Sequence, residues 1–317
     1  MSLADGSPAA VERVVAVDWS GDRSEGGQRK KIWAGVWTAD ESSPVCGGTV
    51  RLEAGRTRRE LADWLISLAA ETPRMVVGID CCFSFPEWFL AEHGCGSVFE
   101  FWARVAEGRG EEWLHRECVD ARFWGVRGTA RTGKRPEEFA GGGARRMMRT
   151  TDWENKVAAR AEEGDIRAAS MRGVTAKSPF QIGGSGSVGT GSLRAMPVLK
   201  RLREAGFCVW PFDDSKLGAR SPRPLLIEMY ARLLTGPVAK SSEAARRRYL
   251  STRRRADPLY TRLSRSVVAK AYASEDAFDA LVCCVEMIRW RCEFGGLRAT
   301  TDDTLRLEGV TWRPGVQ

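Results

Sequence analysis

The stretch VVAVDWSG, Val14–Gly21, runs four small apolar residues into a lone carboxylate and then a Trp, a Ser and a Gly. An apolar run with no polar alternation reads as a short strand buried on both faces. Burying a carboxylate is costly unless it is paired, hydrogen-bonded or bound to a cation. Asp18, at the end of such a strand, therefore asks for a partner.

Outward from this strand the chain has an α/β rhythm. KIWAGVWTA at Lys31–Ala39 reads as a second strand and the alternating GTVRLEA at Gly48–Ala54 as a third, with turn residues between them, which suggests an antiparallel meander. Leu61, Trp64, Leu65 and Leu68 then recur at helical spacing. MVVGID, Met75–Asp80, follows as a strand too uniformly apolar to have a solvated face, so it is expected to be central, and it too ends on a carboxylate. From about Gly108 to Pro179 the periodicity weakens while Arg and Gly accumulate, as expected of an insertion or cap (108–180) within a single domain spanning 1–317. The rhythm returns with a helix near Pro197–Ala205 and strands at Phe207–Phe212 and Pro224–Ala231, the last containing Glu228. Phe278, Leu281, Val282, Val285 and Ile288 mark a closing amphipathic helix whose first turns carry Asp276 and Asp279, three apart and so on one face.

Composition narrows the class. With 317 residues and 43% hydrophobic content the chain can bury a sizeable core, and a formal net charge of +8 favours polyanionic partners. The opening MSLADGSPAA has no basic patch leading into an apolar stretch, and no run of about 18 apolar residues occurs. Neither a secretory leader nor a membrane span is expected, and the cytoplasm is the expected compartment. Nine cysteines, two adjacent pairs among them and no C-x-x-C, read as reduced core thiols. His93, Cys95, His115 and Cys118 match no zinc spacing.

Asp18, Asp80 and Glu228 each end or interrupt a core run in which no Lys or Arg accompanies them. One shared cation site would account for all three, against the alternative that each acid caps a helix or makes a private hydrogen bond. Hard oxygen ligands suit Mg2+ or Mn2+, and two such ions about 4 Å apart can clamp the attacking and leaving oxygens of a phosphodiester.

VAVDWSG, VVGIDCCFSFP, LIEMYA and SEDAFDAL together resemble an uncharacterised bacterial family described as predicted ribonuclease H-like nucleases (domain-of-unknown-function family 429). The likeness runs from about Val14 to the final helix, and EDAFDALVCCV is also similar to the closing-helix signature of Holliday-junction resolvases. The resemblance implies a ribonuclease H-like mixed sheet, three antiparallel strands then parallel ones, flanked by helices. It further implies a catalytic set of Asp18, Asp80, Glu228, Asp276 and Asp279, with Asp18, Asp80, Glu228 and Asp279 as ligands of Mg2+ or Mn2+. Two features depart from the family: Ala231 stands where its E-x-Y-P element has Pro, and the 108–180 segment is long.

Between Lys240 and Lys270 ten basic residues face two acidic ones, a surplus equal to that of the whole chain. Arg246, Arg247, Arg248, Arg253, Arg254 and Arg255 are the candidate contacts to nucleic-acid phosphates, against the alternative of a solvated helix face. GGSGSVGTGS, Gly183–Ser192, is the rival signal, a glycine loop that could wrap a phosphate, although it lacks the Lys and spacing of a P-loop. It keeps open a nucleotide-dependent phosphotransferase or ATPase, as in sugar kinases and actin-like ATPases. A non-catalytic nucleic-acid-binding module is the third reading. The twelve tryptophans are read as core or cap, and the two histidines support no Ser-His-Asp arrangement. The favoured expectation is a metal-dependent nuclease hydrolysing phosphodiester bonds by a two-metal mechanism.

Overall fold

The computed structural model describes residues 11–40, 47–125, 137, 141–158, 176–184 and 187–315. Six strands form one mixed sheet in the order β3-β2-β1-β4-β6-β5. They are β1 (Arg13–Asp18), β2 (Trp33–Ala39), β3 (Gly48–Glu53), β4 (Met75–Asp80), β5 (Cys208–Trp210) and β6 (Leu225–Met229). β3, β2 and β1 pair antiparallel; β1, β4, β6 and β5 pair parallel. The uniformly apolar runs of β1 and β4 are the two central strands, buried on both faces as their sequences require.

The main helices are α1 (Glu25–Lys31), α2 (Arg58–Glu71), α3 (Val188–Glu204), α4 (Ala231–Thr235), α5 (Glu243–Ala256), α6 (Arg265–Ala273) and α7 (Glu275–Arg289). α2 starts on a capping box in which Thr57 and Glu60 satisfy each other's backbone N–H groups. α2 and α3 cover one face of the sheet, where Val15, Val17, Val77, Ile79 and Leu226 meet Leu61, Leu65, Leu193 and Leu199 in one core. α7 lies across the other face against β1 and β2 and is itself covered by α4, α5 and α6, which is why it is buried almost all round from Ala277 to Ile288.

The seat of α7 is a row of small residues. Gly35 on β2, Ala16 on β1 and Gly78 on β4 are mutual register partners and so point to one face. A Cβ on Gly35 would strike the Ala280 carbonyl, and one on Gly78 would lie 2.9 Å from Met287 Sδ. The absence of these side chains brings α7 down onto the sheet and fixes where Asp279, the neighbour of Ala280, comes to rest. Gly35→Ala is expected to cost about 1–3 kcal/mol, as overpacking against backbone does, and the midpoint of urea unfolding checks it. An unchanged midpoint would mean that α7 shifts freely.

The described parts of the 108–180 segment belong to the same core. Trp113, Phe123, Met147 and Phe180 are buried with Phe85, Phe89 and Phe101, the Phe180 ring edge-on to Phe85 at 5.1 Å and to Phe89 at 4.9 Å. The His93 ring packs on Phe89 and Trp113 at 4.6 and 4.9 Å, and burial pushes its pKa down. The described cysteines are free thiols. Among the described residues no helix is long and apolar enough to cross a membrane.

Candidate metal centre

β1 and β4 run parallel in a register that pairs Arg13 with Met75 and Val17 with Ile79, so Asp18 and Asp80 end their strands side by side. Paired residues share a face, and theirs is that of Ala16 and Gly78, the face under α7. α7 in turn lowers Asp279 onto the strand ends. Asp18 is 9% exposed and Asp279 only 1%, while Asp80 keeps a partly open edge.

The electrostatics follow from this crowding. Burial, then repulsion from Asp279 and Asp80, holds the Asp18 carboxyl well above its usual pKa of 3.8. Burial, then Asp279, pushes Asp80 up to about 7, against an opposing pull from Lys240 and a hydrogen bond from the Ala231 N–H. A proline at 231 could not give that bond. Burial likewise raises Asp279, while Lys240 opposes the rise. The Lys240 ammonium contacts Asp279 Oδ2, and its pKa is held above 10.5 by Asp279, Asp18 and Asp80 in spite of burial. Asp279 Oδ1 is buried with no hydrogen-bond partner. Asp276 sits at the rim in the first turn of α7, whose N-cap is Ser274, and is half-buried.

The loop carrying Lys240 is held from two sides. Arg232 donates to the carbonyls of Gly236 and Val238; Arg246 donates to those of Lys240 and Tyr272, the latter at 2.6 and 3.1 Å. Arg246 is thus buried and committed to backbone, which corrects its reading as a phosphate contact. Arg247, Arg248, Arg253 and Arg255 are carried on α5, with Arg247 and Arg248 at its outer surface, Arg247 paired to Glu243 at 2.7 Å and Arg253 over the Tyr249 ring. Arg254 lies on the same helix, and its Nε is buried with no partner.

Glu228 does not join the aspartates. Its register partner is Ile79, so it points to the α3 face, opposite Asp80. There it accepts from the Phe83 N–H at 2.7 Å, from Thr311 Oγ1 at 2.5 Å and from both terminal nitrogens of Arg149, whose Nε donates to Asp152 at 2.8 Å. Arg149 is fully buried, so the partner missing from the β6 run comes from the 108–180 segment, 79 residues away in sequence. The expectation that Glu228 serves as a metal ligand gives way to a buried ion cluster tying that segment to the sheet.

A cavity of about 480 Å³ opens at the C-terminal ends of β1, β4 and β6, lined by Trp19, Asp80, Arg149, Thr190, Gly191 and Tyr230. Such crevices beyond the strand ends are where ligands bind in open α/β sheets. The Trp19–Asp22 loop at its edge is rigidly held: Arg58 donates to the Ser20 and Asp22 carbonyls, Arg194 to that of Gly21, and Trp19 Nε1 to that of Gly191 at 2.9 Å. Of the glycine loop, Ser185 and Gly186 lie outside the described residues. The remainder begins α3 earlier than expected, and Gly189 serves backbone packing. A Cβ on Gly189 would strike the Pro179 carbonyl, and Gly191 lies against Gly21, where a Cβ would sit 2.8 Å from the Gly191 nitrogen.

As placed, no three acidic, His or Cys side chains among the described residues converge closely enough to ligate one ion. The donor set nevertheless fits a hard divalent cation in kind, because it consists of carboxylates and one of them has a buried oxygen that nothing satisfies. Comparison with protein-family models, with curated proteins and with solved structures finds no match.

These shifts have a pH consequence. Asp80 titrates at about 7 when folded against 3.8 when unfolded, so between those values the native state binds more protons and stability falls as pH rises. Asp18 and Asp279 are shifted the same way. In chelator, the protein is expected to be less stable at pH 8 than at pH 5, by about 2–4 kcal/mol from Asp80, whose open edge moderates the effect. Asp80→Asn should flatten the profile and raise stability at pH 8. Melts of both proteins at the two pH values test this, and identical slopes would refute the crowding.

Proposed function

We propose that this protein is a metal-dependent phosphodiesterase acting on nucleic acid, built on a sheet of the ribonuclease H type. The observation that carries the reading is that two adjacent strand ends and a crossing helix bring Asp18, Asp80 and Asp279 into mutual repulsion, with Asp18 and Asp279 buried and one oxygen of Asp279 unsatisfied. The strand order, three antiparallel strands and then parallel ones, and the resemblance of the sequence around these same residues support it.

Asp18, Asp80 and Asp279 would hold Mg2+ or Mn2+, with Asp276 at the rim. Such a cation activates water and offsets the charge that develops on a phosphodiester. The chain's own groups do the positioning. Lys240 orients Asp279, the Ala231 N–H orients Asp80, and the braced Trp19–Asp22 loop walls the crevice beside them. α5 starts three residues beyond Lys240, and its outward-facing arginines suit a phosphate backbone. Gly189 is taken up by packing against the Pro179 carbonyl, while Thr190 and Gly191 line the cavity, so a phosphate bound there remains the second reading that the parallel ATP assay tests.

The test is incubation with Mg2+ or Mn2+ and single-stranded, duplex, hybrid and branched nucleic acids, with ATP turnover followed in parallel. Metal-dependent cleavage supports the proposal. ATP hydrolysis without cleavage favours a phosphotransferase, and binding without either favours a non-catalytic module. Because Arg246 is structural, the clean test of the basic surface is Arg247, Arg248 and Arg255 to Ala together. This variant is expected to bind nucleic acid about tenfold or more weakly, with a log-log salt slope shallower by about 2. Fluorescence anisotropy at several salt concentrations reads both, and an unchanged slope would return these residues to a merely solvated face.

A further inference from the structure

Trp19 directly follows Asp18, yet the proposed chemistry gives its side chain no task. The indole is partly buried and is seated by its pyrrole edge on the first turn of α3. Its Nε1 donates to the Gly191 carbonyl at 2.9 Å, and a Cβ on Gly191 would lie 3.6 Å from its Cδ1. With the Trp19–Asp22 loop braced by Arg58 and Arg194, the ring is held in one orientation. It lines the cavity of about 480 Å³ beyond the strand ends, together with Ile182, Val188, Met229 and Tyr230. That volume lies within the roughly 300–1,000 Å³ of sites that enclose one small ligand. Asp80 lines the same cavity, so whatever fills it reaches a carboxylate of the acidic centre.

The charge of the lining decides which ligand the space suits. Its described charged residues are Asp22, Asp80, Asp152 and Glu228 against Lys31, Lys177 and Arg149. Arg149 is held by Glu228 and Asp152, and Lys31 by Asp22 at 2.7 Å. Among them no surplus of positive charge is left to neutralise a triphosphate. An uncharged planar ring stacked on the indole meets no such cost, because every nucleobase offers a π-face.

We propose that this cavity receives the base of one unpaired nucleotide, stacked on Trp19, so that the substrate is nucleic acid that is single-stranded or locally unpaired. The inference rests on the reading that the protein acts on nucleic acid and names the class of strand it admits. Because Trp19 follows Asp18, the indole stands next to the acidic centre, and the phosphate and the base of one nucleotide can reach the two together. A base within a duplex has to leave its stack to enter, at a cost that a single strand or a bulge does not carry.

The full-length chain is mixed, in chelator and again with Ca2+, with oligonucleotides that carry one iodouracil in a single strand, in a bulge or in a paired duplex. Ultraviolet crosslinking and peptide mass spectrometry identify the residue that meets the base, and fluorescence anisotropy gives the affinity. The expected attachment is at Trp19 for the single strand and the bulge and not for the paired duplex. Trp19→Ala should weaken binding of the two unpaired probes about 5- to 150-fold, the range for one base stacked on an aromatic ring, and leave duplex binding unchanged. Trp19→Phe should keep most of the affinity, and Val188→Phe, which narrows the cavity from α3 and leaves Trp19 in place, should lose it as Trp19→Ala does. Circular dichroism establishes that each variant is folded. Equal losses for paired and unpaired probes would make Trp19 a structural wall, and attachment elsewhere would place the base outside the cavity; either overturns the inference and leaves the functional proposal to its cleavage assay. Displacement of the single strand from Trp19 by ATP would assign the cavity to a free nucleotide and overturn it as well. Attachment at Trp19 in a protein that cleaves nothing with Mg2+ or Mn2+ would uphold the inference and remove the hydrolysis, and binding of no probe under either condition would remove both.

Discussion

Asp279→Asn is expected to lower metal-dependent turnover about a thousandfold or more, beyond the roughly 10–100-fold typical of groups that only support a ligand. The side chain is 1% exposed, holds Lys240 through one oxygen and has the other free. The amide keeps the shape but removes the charge that a cation and the ammonium both need. Asp276→Asn is the matched control. It lies three residues earlier on the same helix, half-buried, in the first turn, where the cap belongs to Ser274. It should retain turnover within about tenfold and melt no lower than the wild type, because burial, Glu275 and Asp279 raise the Asp276 pKa and so already disfavour its charge. Initial rates and thermal melts on the pair decide the matter. An inactive Asp276 variant beside a nearly normal Asp279 variant would reverse the assignment.

The largest expected loss of stability lies away from the aspartates. Arg149→Met should cost about 3–5 kcal/mol, because it leaves the carboxylates of Glu228 and Asp152 buried without their cation. For a chain of this size that is a fall in melting temperature on the order of 10 °C. Replacing the cluster as a whole, with Glu228→Leu and Asp152→Leu added, should recover much of the loss, since well-packed apolar groups commonly replace a buried ion cluster without penalty. A melting temperature unmoved by Arg149→Met would mean that water reaches the cluster. Glu228→Gln supplies the functional counterpart: its folded fraction should bind divalent ions as the wild type does. Loss of ion binding equal to that of Asp279→Asn would restore Glu228 as a ligand.

Much of the scaffold was legible from residues 14 to 80 because the signals there are local. Uniform apolar runs produced β1 and β4 with Asp18 and Asp80 at their ends, and β4 was placed to the residue. The three-residue spacing of Asp276 and Asp279 puts both on one face of the closing helix, and within α7 it is Asp279 that is buried. The glycine stretch was less legible because glycine signals close approach of backbone without saying to what; Gly189 approaches the Pro179 carbonyl, while Thr190 and Gly191 line the cavity.

What the sequence determined by itself is what neighbouring residues determine together: which segments are strands or helices, which strands are buried on both faces, and that carboxylates end them. Which acids share a site was decided only by the tertiary structure, through strand register. Asp80 pairs with Met229 and Ile79 with Glu228, and because side chains alternate along a strand, that one-residue offset sends Glu228 to the opposite face, where Arg149 from a distant segment neutralises it. The same holds for Lys240 and Arg246. Both stand in one basic run, yet the fold delivers one ammonium to Asp279 and buries the neighbouring guanidinium to hold it there, because contacts between residues far apart in sequence leave no periodicity to read.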